Sequence, residues 1–188
     1  SIGGVQGFTS EASVLFESPA GLNYAGTSFS VFYTNYFADT KYMTSAISLK
    51  LTPSLTVGVG AAYEWSDNLD LTGTDIAGEH ILIDQFKVDS AQLVAGFNLE
   101  IIKSLHFGSS WTHYLSNIYT ISGNGGDLNL GLRYQSDIGD WIINGKNILY
   151  RKMAFNDGTS EQLATQWAFG YKSAPLTIMD SELYAQVR

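Results

Sequence analysis

Cysteine is absent from these 188 residues, so disulfides, thiol nucleophiles and thiolate metal sites are excluded together. Charge is scarce as well: Asp, Glu, Lys and Arg make up 15% of the chain, where about 25% is usual for a soluble domain. What charge there is leans negative, 18 acids against 10 bases for a net −8, which argues against binding nucleic acid by neutralising phosphates. No apolar run approaches the roughly 18 residues of a membrane-spanning helix, which excludes a helical membrane protein. The first residues, "SIGGVQGFTS", show neither the basic nor the apolar stretch of an export signal, so such a signal is expected to have been removed or never to have been present. Against these shortages stand an aromatic content of 13% and 19 glycines, in a length that suits one domain. Few charges with many aromatics point to apolar surroundings.

Beyond residue 25 the chain alternates with a period of two, which puts successive side chains on opposite faces of a strand. In 54–65 the odd positions read Leu55, Val57, Val59, Ala61, Tyr63, Trp65 and the even ones Thr56, Gly58, Gly60, Ala62, Glu64. One face is apolar and ends in aromatics; the other is small or polar. The same split recurs in 127–137 and 161–172. Nine strands are predicted, over 26–37, 41–51, 54–65, 87–101, 104–119, 127–137, 140–152, 161–172 and 176–188. The stretch "WIINGKNILYRK" within 140–152 alternates too poorly for its faces to be assigned. Several of these strands exceed the five or six residues typical of soluble sheets and suit a tilted membrane crossing.

The connections give a second criterion. Positions 52–53, 102–103, 138–139 and 173–175 read as tight turns, whereas 66–86, 120–126 and 153–160 read as long loops at the opposite end, with only 38–39 short among them. Such sorting is the pattern of outer-membrane barrels, with turns in the periplasm and loops outside. Aromatics at both strand ends, Phe37, Tyr63, Trp65 and Tyr119 against Phe97, Tyr134 and Tyr171, would form the interfacial girdles. The alternative left open is a soluble lipocalin-like barrel with its apolar side turned inward.

Just before the first strand stands "ESPAGL", which contains one of only three prolines in the chain. Pro19 ends any helix through 12–16 and Gly21 permits a reversal, so the chain can turn from an interior segment into the wall. An ordinary turn before a strand is the plainer alternative. With Ile2, Gly3, Gly4, Val5 before it and Ser18, Pro19, Ala20, Gly21, Leu22 within it, this opening resembles the mature start of FadL-like outer-membrane proteins, in particular the PorV/PorQ group. Those proteins carry a Met-Gly-Gly-Ala-like step and then Asn-Pro-Ala-Gly-Leu; Ser18 stands at the Asn position here.

The expected fold is therefore all-β. It is an antiparallel transmembrane β-barrel with about nine strands visible, part of a larger barrel, with residues 1–25 as N-terminal plug or hatch and 26–188 as barrel strands. An even strand number is the rule for such barrels, so either a tenth strand lies in the leader or further strands lie outside this sequence; the second is favoured. The resemblance implies a bacterial outer-membrane location and contact with outer-membrane lipid. It also implies passive transport of hydrophobic or small amphipathic compounds, or else a PorV-like scaffold that holds other outer-membrane or secreted proteins in a type IX-like pathway.

No enzyme constellation emerges, and no cofactor, metal or catalytic residue is expected. His106 and His113 share a strand but not a face, so they cannot jointly hold a metal, and each reads as solvated or interfacial. "GVG" at 58–60 runs on into strand, so it is no phosphate loop, and its small residues leave room for a plug or ligand. Asp67, Asp70, Asp75, Glu79 and Asp84 in the long loop offer carboxylates suited to calcium at a spacing unlike an EF-hand, so a solvated acidic loop is the favoured reading. The lumen should be polar with both signs of charge, lined by Glu64, Glu100, Arg133, Gln135, Gln162, Gln166 and Lys172, together with Thr56, Gln92 and Asn98.

Overall fold

A computed structural model of the chain describes residues 8, 11–36, 40–174, 176–178, 181–183 and 186–187, with side chains described up to residue 174 apart from those at 24 and 68. It is all-β: an antiparallel sheet curled into a half-barrel. The strands are β1 (Ser28–Asn35), β2 (Thr40–Lys50), β3 (Leu55–Thr74), β4 (His80–Ile102), β5 (Leu105–Ile118), β6 (Ile121–Ser136), β7 (Gly139–Lys146), β8 (Lys152–Phe155), β9 (Ser160–Gln162), β10 (Gln166–Ser173), β11 (Leu176–Ile178), β12 (Ser181–Leu183) and β13 (Gln186–Val187). Strands β1 to β7 pair in chain order, followed by β10 and β13; the β8–β9 hairpin leans on β6, and β11–β12 pair only with each other. Among the described residues nothing pairs with the free side of β1, and β13 pairs with β10 rather than closing a ring. The single strand expected over 176–188 is thus three short pieces.

The alternation assigns the two faces cleanly. Val59, Leu93, Phe97, Leu132 and Ile143 stand exposed on one face, while Thr56, Asn98, His106, Arg133 and Asn144 are buried on the other. The buried face is covered by a leader, residues 11–25: a 3-10 turn at Ala12–Phe16, a second at Pro19–Gly21 and one helical turn at Leu22–Ala25. So short a segment touches β1 to β6, which requires the sheet to bend around it and makes this the inner face. Chain reversal into the wall happens at Gly26, at φ 56°, a conformation that favours glycine; Gly21, expected to serve there, has an ordinary φ of −80°.

Two predicted loops turn out to be strand. Residues 66–86 belong mostly to β3 and β4, joined by a tight turn in which the Asp75 Oδ1 accepts the amides of Ala77 and Glu79 at 2.8 and 2.9 Å. Residues 121–126 open β6, and β5 turns into it through Tyr119 and Thr120. Tight turns therefore occur at both rims, and the loop-sorting argument fails. What distinguishes the rims is height: β2 pairs with β3 only up to Ser66 and β5 with β4 only up to Val88, so 67–87 rises beyond its neighbours as a lone two-stranded ribbon. Eight residues at about 3.3 Å each make it roughly 25 Å tall.

The segment 140–152 alternates poorly because it is not one strand. Asn147 and Tyr150 sit at φ 53° and 56°, breaking it into β7 and β8. Asp127, fully buried on β6, holds this break: its carboxylate accepts the amides of Leu149 at 2.8 Å and Arg151 at 3.0 Å, while Asn129 accepts that of Asn147 at 3.1 Å. The strand expected over 161–172 is likewise divided into β9 and β10.

Candidate functional site

The site is the seat of the leader on the inner face. Gly108 on β5 and Gly131 on β6 are register partners, and together they make a flat spot for the Pro19–Gly21 turn. A Cβ on Gly108 would lie 2.3 Å from the Pro19 carbonyl carbon and the Ala20 nitrogen; one on Gly131 would lie 2.9 Å from the Ala20 Cβ. Polar contacts fix the turn. Asn98 donates to the Ala20 carbonyl at 2.8 Å, the Ser18 hydroxyl donates to Asn144 Oδ1, and the Lys146 ammonium donates to the Phe16 carbonyl at 2.8 Å. Ser18, Pro19, Ala20, Gly21 and Leu22 are all buried. Leu22 and Leu15 lie over Gly58, and the Phe16 ring lies over Gly60, where an added Cβ would come within 2.8 Å of it. The room expected at Gly58 and Gly60 is thus occupied by the leader. Gly3 and Gly4 lie outside the described residues.

Of the residues expected inside, Arg133 is fully buried and pairs with Asp140 at 3.1 Å. Asp140 stands opposite Gln135 on one side and Lys172 on the other, so its strand position adjoins two further residues that the sequence had placed in the lumen. Asp140 itself escaped the sequence reading, because the break at Asn147 hid the parity of β7. Thr56 and Asn98 are buried beneath the leader. Glu100 is half-buried, and Glu64, Gln92, Gln162 and Gln166 are exposed; Gln162 sits on the small β9 rather than on a long wall strand.

His106 departs from expectation. It is 2% exposed, packed under the leader with its Nε2 3.5 Å from the Asn23 amide, so it is neither solvated nor interfacial. His113, as expected, faces the other way. The acids of the ribbon do not gather: Asp67 lies 3.3 Å from Lys41 and 4.0 Å from Lys87, Asp70 accepts from Gln85 at 2.8 Å, and Asp75 caps its own turn.

Two cavities flank Phe16. One, of about 780 Å³, lies between the leader and β1–β2, lined by Phe8, Glu11, Phe16, Glu17, Phe32 and Tyr42 among others. The second, of about 280 Å³, is bounded by Gln92, Tyr114, Asn129, Lys146 and Gln166. No family model, curated protein or solved structure matches this chain.

Proposed function

We propose that this chain forms the wall of an outer-membrane β-barrel of FadL-like type, plugged by its leader, through which hydrophobic or small amphipathic compounds pass. The observation that carries this reading is the outer face. Met43, Ile47, Leu49, Val59, Leu93 and Phe97 stand exposed on adjacent strands, and large apolar side chains gathered on one exposed face mark contact with a membrane or a partner. Lipid is the solvent that suits it. Aromatic clusters lie near both rims: Tyr63 stacks on Trp65 at 5.0 Å at one, and Trp141 meets Tyr171 at 4.3 Å at the other. Nine residue steps from Thr56 to Trp65 span about 30 Å, which a tilt of roughly 40° reduces to about 23 Å, close to the roughly 25 Å apolar band of such barrels. The aromatic cavity beside the leader favours passage of small molecules.

Arginine placed on the outer face tests the membrane assignment. In lipid vesicles, Val59→Arg is expected to lower unfolding stability by about 2–4 kcal/mol, while Gln92→Arg, exposed on the inner face, stays within about 0.5 kcal/mol. The reverse order overturns the assignment of the faces and the membrane reading with it.

The scaffold reading is favoured by the ribbon. A two-stranded ribbon unsupported by neighbours is marginal in water, and this one presents Ile76, Ile81, Leu82 and Ile83 to the exterior beside its acids. A partner protein would stabilise it. Replacing 69–86 by a two-residue turn is expected to leave barrel stability unchanged but to release any co-purifying surface protein; retention of that protein after the replacement removes the ribbon from consideration.

A further inference from the structure

The break between β7 and β8 also decides which charges stand outside. Met153 and Phe155 lie against Gly125 and Gly123 of β6, on the inner side, so the exposed Lys152 next to them points outward. Regular alternation would send Arg151 inward with Met153 and Phe155. It goes the other way: its guanidinium carbon lies 5.1 Å from the ring centre of Trp111, which is 38% exposed on the outer face and covers Gly126. Two consecutive cations therefore share one face, which an unbroken strand forbids. Asp127 maintains the arrangement, because its buried carboxylate accepts the Leu149 and Arg151 amides. His113, opposite Gly126 in the register, stands on the same outer face. Among the described residues neither Arg151 nor Lys152 makes an ion pair, and Glu161 on the neighbouring strand stands opposite the inward-turned Met153.

The height of this cluster makes it unusual. Ala61, Leu93, His113 and Gly126 form one row across β3 to β6, four residues below Trp65. At about 3.3 Å per residue and a tilt of about 40°, the row lies roughly 10 Å under the Trp65 girdle. Leu93 and Leu115, exposed beside His113, mark the surroundings as apolar. A cation on a lipid-facing wall is costly at depth and tolerated near the interface, which long Arg and Lys stems can reach. An anionic headgroup drawn down to meet them removes the remaining cost. We propose that Arg151, Lys152 and His113 bind the phosphate of an anionic lipid, with Trp111 packed against the glycerol and the upper part of its chains. A zwitterionic lipid carries the same phosphate together with its own ammonium, so it gains less from the two cations. The inference rests on the membrane reading and adds to it a lipid preference at one place on the wall.

The test places the full chain in phosphatidylcholine vesicles that contain either brominated phosphatidylglycerol or brominated phosphatidylcholine. Bromine quenches only a tryptophan it touches, and the Trp111 signal is the difference between each protein and its Trp111→Phe counterpart. Phosphatidylglycerol is expected to occupy the Trp111 position at least about fivefold more readily than phosphatidylcholine. In the double variant Arg151→Gln, Lys152→Gln the ratio should fall to within about twofold, while quenching by phosphatidylcholine persists. Lys41→Gln, a cation on Trp65 at the girdle, should leave the ratio at Trp111 unchanged. Excess inorganic phosphate should not displace the lipid. Arg151 and Lys152 are both exposed, so an unchanged urea midpoint is expected of the double variant. Equal quenching by the two lipids, a preference that survives the double variant, or displacement by inorganic phosphate overturns the proposal. So does a Trp111 that neither lipid quenches, the result expected if a protein covers the patch. Where Val59→Arg shows its expected cost, any of these results removes the lipid site alone; where Val59→Arg is silent and neither lipid quenches Trp111, the membrane reading falls first.

Discussion

Gly108→Val is expected to unseat the leader and to lower stability by about 3–5 kcal/mol. The added Cβ would lie 2.3 Å from two backbone atoms of the Pro19–Ala20 peptide, where no rotamer can relieve the overlap. Either the turn lifts or the β5–β6 pair bends away from it. Lifting the turn exposes Leu15 and Leu22, now 2% and 0% accessible, at about 1.5–3 kcal/mol each. It also separates Asn98 from the Ala20 carbonyl and Ser18 from Asn144. Two measurements check this: a shift of the urea midpoint, and protease cleavage within 11–25, absent from the parent protein and rapid in the variant. Gly78→Ala is the control for glycine loss in general, since a Cβ there meets nothing within 4 Å. Its backbone is left-handed at φ 87°, so a cost of only about 1 kcal/mol, with no cleavage of the leader, is expected. A Gly108→Val protein with an intact, protected leader would show that the seat is looser than its geometry.

The pairing of glycine and motif explains how much of this site the sequence disclosed. The period-two pattern of 54–65 and 127–137 divides the same residues that burial divides, because a half-covered strand must alternate and nothing interrupts β3 or β6 there. It also placed Thr56, Asn98 and Arg133 on the covered side. The leader was legible as a segment interrupted near Pro19, since proline is tolerated in the first turn of a helix but not in its interior, and here it opens the turn Pro19–Gly21 after Ala12–Phe16 has ended. Its landing place was not legible. Gly108 and Gly131 are single glycines on different strands, and only the β5–β6 register brings them opposite each other. Strand length misled in the other direction: 66–86 is rich in Asp, Asn, Gly and Thr, which individually favour loops, yet cross-strand pairing from Leu69–Phe86 to Thr74–His80 extends the hairpin through them. Sequence composition registers the residue's own preference, whereas the partner strand decides the outcome.

His106 shows the same limit from the side of burial. Its register beside Glu100 and Arg133 puts it on the inner face, but the exposure of an inner position depends on whether the leader lies above it. Val94, Asn98 and His106 do lie under that segment, whereas Gln92 and Gln166, on the same face and higher on the wall, stay accessible at the second cavity. The inner face is thus divided in two. A lower part is packed and polar beneath the leader; an upper part is open and bordered by the two cavities.

The packed lower part depends on a charge pair, and Asp140→Leu is expected to cost about 3–5 kcal/mol. The Arg133 side chain has no solvent access and Asp140 retains 18%, so removing the carboxylate takes from a buried guanidinium the acid that lies 3.1 Å away. Lys172, opposite Asp140 in the register, adds a second positive charge to the same place. Asp140→Asn keeps the volume and one acceptor but not the charge, and should fall between parent and Leu. The reciprocal change separates charge from packing. In the double variant Arg133→Met, Asp140→Leu no uncompensated guanidinium remains, so most of the lost stability should return. Equilibrium unfolding of the parent, Arg133→Met, Asp140→Leu and the double variant in one lipid system gives the coupling free energy directly. If Asp140→Leu costs less than about 1 kcal/mol, or if the double variant is no more stable than Asp140→Leu alone, the pair does not hold the lower wall together and the polar interior there is solvated rather than packed.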